Sequence, residues 1–418
     1  MRSLRLLPLL IANLAAQTIP SANPTQVGLA KDRLARIAPH MNKQIEMNRM
    51  SGAVGLVLRN GKAAYFEPWG YMDRDAKKPM RKDAIFRMYS MTKAVTGVAV
   101  MMLMEEGRFF LNEPVSKYLP EFAKPRVAVI DKGRVSSTEP AEREITIRDL
   151  LRHTSGVVDY SGPLDNEGKA YLEKANLYQP DIDLAEVVRR IARIPLVHQP
   201  GTTFHYGYSI DVLGRLVEVV SGKPFDQFLE EGIFKPLGMA DTAFYVPETK
   251  LDRFVTLDAP SLDGTVKRAP DASQQAYRKK PAAALGGQGL FSTAIDYGRF
   301  CQMLINNGTL DGKRILGRKS VELMSTDHLG TLARASGIAT LPPGIGFGLT
   351  FAVTQDPGRI GQLASAGEYF WSGAAGTRFW IDPKEKMVTI FMVNIFPHFS
   401  STDLGSQFKL LVYQSIAD

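Results

Sequence analysis

Apolar residues recur at helical spacing from residue 29 to 49, where Pro39 is the one interruption. The period then changes to two. Ala53-Val54-Gly55-Leu56-Val57-Leu58, Asn60-Gly61 and Ala63-Ala64-Tyr65-Phe66 predict two strands joined by a tight turn, since Asn-Gly between alternating runs is a strong hairpin signal. A run rich in Met, Val and Ala from Ser90 to Glu106 predicts a helix closed by Gly107. From 111 to 284 the pattern loosens into helical segments, notably 183–194 and 211–221, between long Pro- and Gly-bearing loops; the polar stretch 137–144 reads as a surface excursion. Strands return at 345–353, 368–371, 376–382 and 387–395, the last two joined by an Asp382-Pro383-Lys384-Glu385-Lys386 turn, and a helix is predicted over 402–416. Strands at both ends with helices between them predict an α+β fold. A sheet domain is expected from 25–110 and 285–418, with a mainly helical domain, 111–284, inserted in it.

Residues 1–24 read as a leader. Arg2 and Arg5 precede the apolar run Leu6–Ala16, as in a signal peptide, but Pro8 interrupts the run and Leu14 spoils the cleavage position. Periplasmic or secreted and cytoplasmic locations both stay open. No later segment offers the ~20 continuous apolar residues that a membrane helix needs.

Composition narrows the function. With 418 residues, 44% hydrophobic and 22% charged, the chain can bury a sizeable core. The net charge of +8 is spread along the chain, without the basic stripe that a nucleic-acid surface requires. The single cysteine, Cys301, lies in an apolar helical pattern and reads as a core residue. The six histidines are scattered and no His-Glu-x-x-His occurs, so neither a metal nor any other cofactor is expected. The glycines at 286, 287 and 289 do not lead a strand into a helix, which argues against a nucleotide loop. A Gly-x-Ser-x-Gly elbow is also missing.

Ser90-Met91-Thr92-Lys93 offers different chemistry. Three residues apart on a helix, the two side chains share a face, so the lysine amine can reach the serine hydroxyl. A hydroxyl becomes a useful nucleophile when a neighbouring base takes its proton. The first turn of a helix adds free N–H groups and a positive dipole end for a developing oxyanion. The same spacing recurs at Ser406-Gln407-Phe408-Lys409, without supporting neighbours.

The surroundings of Ser90 single it out. Phe86–Gly97, Leu111–Pro120, Leu150–Gly156, Tyr206–Glu218, Gly286–Thr293 and Trp371–Thr377 follow one another in an order that resembles the penicillin-recognising serine hydrolases: class C β-lactamases, DD-peptidases and family VIII carboxylesterases. The resemblance covers about residues 30–415. It implies a β-lactamase/DD-peptidase-like fold, an antiparallel sheet flanked by helices with the helical insertion. It also implies that a tyrosine completes the base system. Tyr206 matches that position by its distance from Asp211-Val212-Leu213-Gly214, and Tyr208, two residues on, is the competitor or a substrate contact. His153 falls where the family has a structural helix end. Where β-lactamases carry Lys-Thr-Gly, this chain reads Trp371-Ser372-Gly373, a substrate-lining triplet whose following N–H, that of Ala374, pairs with the Ser90 N–H as the oxyanion hole. The lost cation points to neutral, apolar acyl groups, as in family VIII, with Arg378 the first place to look for a substitute charge.

The expectation is therefore a serine carboxylesterase acting on short-chain esters through an acyl-enzyme, with weak cephalosporin hydrolysis at most. Its partner is a small-molecule ester. β-Lactam or D-amino peptide hydrolysis and acyl transfer use the same machinery and remain alternatives. A non-catalytic receptor or scaffold does not need Ser90, Lys93 and Tyr206 together.

Overall fold

A computed structural model describes residues 19–131, 134–158, 173–177, 179–270, 277–335, 339–398 and 403–418. Its centre is an eight-stranded antiparallel sheet. In chain order the strands are β1 (Gly52–Arg59), β2 (Lys62–Asp73), β3 (Lys78–Pro79), β4 (Ile345–Phe347), β5 (Ala352–Thr354), β6 (Tyr369–Ser372), β7 (Arg378–Asp382) and β8 (Met387–Met392). In space they run β4-β5-β6-β7-β8-β1-β2-β3, so the N-terminal hairpin closes onto the C-terminal meander at β8–β1.

The sheet is covered on both faces, and β1 shows why its sequence is almost wholly apolar. Val54, Leu56 and Leu58 join the main core under helix Ala294–Ile305, while Ala53 and Val57 join a second cluster with Ile37, Met41 and Phe408 from helices Ile37–Glu46 and Leu404–Tyr413. Every residue from Gly52 to Arg59 is buried. Cys301 is buried within Ala294–Ile305, as a core residue. The main core continues through helix Thr92–Glu105 into helices Leu184–Ala192 and Ser209–Ser221.

Four local expectations change. The 29–49 segment divides into a short turn of helix, Lys31–Leu34, and the helix Ile37–Glu46. The polar stretch at 137–144 is partly strand: Arg126–Asp131 pairs with Arg134–Pro140, and Val127, Ala128 and Val135 tuck into the core beneath the polar outer positions. The 345–353 strand splits into β4 and β5 because Gly348–Phe351 forms a tight turn, closed by Gly348 N–H donating to Phe351 O at 2.8 Å. A Cβ on Gly348 would lie 2.0 Å from the Met324 carbonyl oxygen, so only glycine fits that close approach. Finally, of the leader 1–24, residues 1–18 lie outside the described residues, whereas Ile19 packs into the main core and Ala22 N–H donates to Ala63 O at 3.0 Å.

No helix among the described residues is long and apolar enough to cross a membrane.

Candidate active site

Ser90 occupies a single 3₁₀ turn, Tyr89–Met91, that feeds directly into helix Thr92–Glu105. Its position in that first turn leaves its N–H among the helix donors with no helical acceptor. Tyr89 just before it has φ +44°, a left-handed backbone that costs a non-glycine residue on the order of 1 kcal/mol. Strain of this kind beside a reactive hydroxyl marks a site where geometry outweighs local comfort.

One helical turn on, the Lys93 Nζ lies 3.2 Å from Ser90 Oγ and donates to the Gly287 carbonyl at 2.6 Å. Lys93 is 6% exposed, so this contact lies away from bulk water. The helix is laced to the 286–290 segment on both sides of that contact. Thr92 Oγ1 accepts the Leu290 N–H at 3.2 Å, and Thr96 Oγ1 donates to Gly286 O at 2.7 Å. Gly287 is held from a further side: its N–H donates to Asp211 Oδ1 at 2.9 Å. Asp211 is buried in the first turn of Ser209–Ser221. Burial pushes its carboxyl up, and the Lys93 charge opposes that rise.

Asp211 and Gly287 were not read from the sequence as functional. Asp211 stands in the block that located Tyr206 and served only as a ruler. Gly286 and Gly287 were tested against a nucleotide loop, and their real requirement is steric. A Cβ on Gly286 would lie 2.3 Å from Ile210 O, and one on Gly287 would lie 2.6 Å from Asp211 Oδ2.

Tyr206 comes to the same point from the loop before Ser209–Ser221. The Lys93 Nζ sits 4.6 Å from the centre of its ring, which lies between His153 at 4.5 Å and Trp371 at 5.4 Å. Tyr208 is the residue preceding that helix and is only half-buried, packed at the edge of the core. His153 is fully buried, and its Nδ1 accepts the Gly207 N–H at 3.4 Å. Burial together with the Lys93 charge pushes its imidazole well below the usual range, so it is neutral at working pH. It packs as a wall for Tyr206.

The Trp371 triplet divides. Trp371 turns into the core against Tyr206 and Phe347, but alternation along β6 sends Ser372 to the opposite face, opposite Arg378. Ser372 nevertheless lines the same groove as Trp371. Gly373 is in place for a backbone role: a Cβ there would lie 2.4 Å from the Met88 carbonyl oxygen, so glycine lets the end of β6 press against the chain just before Ser90. Ala374 follows in an exposed turn. Arg378 supplies no substitute cation. It is bound to Asp403 at 2.8 Å and donates to Ser406 Oγ at 3.2 Å on the far face of the sheet.

The second Ser-x-x-Lys resolves in the same region. Ser406 Oγ donates to Asp403 at 2.6 Å, while Lys409 forms a 2.6 Å ion pair with buried Glu368. Each side chain is committed elsewhere, so the spacing carries no chemistry there. No group of three or more His, Cys, Asp or Glu among the described residues is arranged to hold a metal ion. His198 and His205, apart in sequence, do meet at 2.9 Å.

The Beta-lactamase family model matches residues 35–413. Esterase EstB of Burkholderia gladioli is 30% identical over 90% of this chain and 94% of its own length. The lovastatin esterase of Penicillium rubens is 33% identical over 67% of this chain and 68% of its own. Among solved structures, EstCE1, titled a hydrolase with promiscuous acyltransferase activity, superposes with a TM-score of 0.77 at 26% identity, covering 93% of this chain and 99% of that one. With the Ser90–Lys93 pair at the head of a buried helix and the fold matched from end to end, this chain belongs to the Beta-lactamase family, as a serine hydrolase of the family VIII esterase type within the serine β-lactamase/DD-peptidase superfamily.

Proposed function

We propose that the protein hydrolyses short-chain carboxylic esters with uncharged acyl groups, using Ser90 as nucleophile and Lys93 with Tyr206 as the base pair. The observation that carries this reading is the 3.2 Å approach of Lys93 Nζ to Ser90 Oγ in a buried setting. At that separation the Ser90 proton can pass to the Lys93–Tyr206 pair as the hydroxyl oxygen attacks the ester carbonyl. The carbonyl oxygen becomes an oxyanion held by the Ser90 and Ala374 N–H groups. As the tetrahedral intermediate collapses, the proton moves through the Lys93–Tyr206 pair to the departing alkoxide, leaving an acyl-enzyme on Ser90. Water then attacks the acyl carbon, giving up a proton to the same pair, and the free acid leaves as Ser90 regains its hydrogen. No cofactor takes part.

Trp371 supports the choice of ester over β-lactam. It places an indole, packed on Tyr206, where an ammonium would grip a carboxylate, and Arg378 is tied to Asp403. The esterase names carried by two similar proteins support the same choice. Assay of the purified protein on p-nitrophenyl esters, a cephalosporin and a D-Ala-D-Ala dipeptide tests the reading. Efficient turnover of acetate and butyrate with weak lactam and peptide cleavage is expected; a preference for the dipeptide or the lactam contradicts it.

A further inference from the structure

A cavity of about 260 Å³ has mainly apolar walls from Tyr89, Phe244, Tyr277, Leu285, Leu290 and Phe291. Two of its lining residues, Tyr89 and Gln288, are the chain neighbours of Ser90 and Gly287. A third, Leu290, is tied to the chain on both sides of Ser90: its carbonyl accepts the Met88 N–H at 2.9 Å and its N–H donates to Thr92 Oγ1 at 3.2 Å. Tyr206, His153 and Trp371, which pack on one another beside Lys93, do not line it. A leaving alcohol must face Tyr206 to receive its proton, which turns the acyl group the other way.

We propose that this cavity receives the acyl group of the ester, and that Tyr89 is the wall that limits acyl length. The inference rests on the esterase reading above and names the part of the substrate that is selected. Size and chemistry both fit. A cavity of about 150 Å³ accepts benzene, so this one takes a short aliphatic or benzene-sized acyl group and excludes long chains. Its one cation, Arg87, is 2% exposed and lies flat over the rings of Phe254 at 4.4 Å and Tyr277 at 4.6 Å, with an N–H donated to Val255 O at 3.2 Å. Held in that way it braces the floor and leaves an apolar surface for an uncharged occupant.

Tyr89 earns its strained backbone here. Its ring stacks on Phe396 with centroids 5.1 Å apart and planes 4° from parallel, which fixes a side chain that lines the cavity. A left-handed φ of +44° is a glycine conformation, so Tyr89→Gly relaxes the backbone while it removes the wall.

Two substrate series read the outcome: p-nitrophenyl esters from acetate to dodecanoate, which vary the acyl group, and alkyl acetates, which vary the alcohol. In the first series Tyr89→Gly raises the decanoate-to-acetate ratio of kcat/KM by about tenfold or more, the low end of what one methylene is worth in an apolar pocket. Leu285→Trp fills the cavity and lowers the hexanoate-to-acetate ratio by a similar factor; it also reads the proposal should Tyr89→Gly fold poorly. The alkyl acetate ranking stays as in the wild type. Unchanged acyl ratios in both variants, a shift confined to the alcohol series, or a wild-type preference for acyl groups ending in a carboxylate overturns the assignment of the cavity while ester hydrolysis stands. A wild-type protein that cleaves no ester removes both readings together.

Discussion

Asp211 holds the Gly287 N–H at 2.9 Å while the carbonyl of that same glycine accepts Lys93 at 2.6 Å, so a buried carboxylate fixes the acceptor against which the lysine is aimed. The carboxylate does not touch Ser90 and acts through Gly287, as a positioning group. Asp211→Asn retains an oxygen for the Gly287 N–H; Asp211→Ala does not. The alanine variant is expected to lose about 10²-fold in kcat, the cost of a misplaced catalytic group, and the asparagine variant within about tenfold of wild type. Steady-state kinetics on p-nitrophenyl butyrate, with melting curves to confirm folding, check this. Equal losses in the two variants mean that charge, not the hydrogen bond, is what matters.

In the proposed mechanism Lys93 and Tyr206 work as one unit. Lys93→Ala and Tyr206→Phe each lower kcat by about 10²–10⁴, and the double variant is little worse than either alone. Tyr208→Phe stays near normal, since Tyr208 sits half-buried at the helix start while the Tyr206 ring centre lies 4.6 Å from Lys93 Nζ. A crippled Tyr208→Phe beside a healthy Tyr206→Phe transfers the role two residues along.

The proposed discrimination against anionic substrates does not call on Arg378, which is bound to Asp403 and Ser406. Arg378→Gln is predicted to leave both butyrate ester and penicillin turnover unchanged, with penicillin the poorer substrate. Loss of lactam turnover in that variant, measured by absorbance with either substrate, gives Arg378 the recognition role denied to it here.

Asp258 makes a separate claim about pH. It is 5% exposed, accepts the Ser51 N–H at 3.3 Å, and burial pushes its carboxyl up to about 6 from 3.8. The folded state thus holds this proton more tightly than the unfolded chain, and stability falls as pH rises from about 4 through 6. Asp258→Asn keeps the shape and removes the charge. It is predicted to stabilise the protein at pH 8 by up to about 3 kcal/mol, from ~1.4 kcal/mol per pKa unit, with the gain gone at pH 4. Denaturant titrations at the two pH values measure the difference.

How far the sequence could be read depended on how local each signal was. The Asn60-Gly61 hairpin, the helix after Ser90 and the β7–β8 turn depend on neighbours in the chain, and each formed as expected. The Gly348 turn and the 126–140 hairpin depend on what packs against them, Met324 in one case and the core in the other, and neither was legible. The site divides in the same way. Ser90 and Lys93 are three residues apart and announce themselves, and Tyr206 was located through the motif around it. Gly287 and Asp211 are 76 residues apart, and only the fold shows that they hold one peptide between them.

Covalent capture is the sharpest test of Ser90 as the nucleophile. Incubation with an organophosphonate ester, followed by peptide mass spectrometry, is predicted to find one adduct, on Ser90, in step with loss of esterase activity. Ser90→Ala should take no label and show no turnover while melting like the wild type. An adduct on Ser406 or any other serine, or near-normal hydrolysis by Ser90→Ala, contradicts the account.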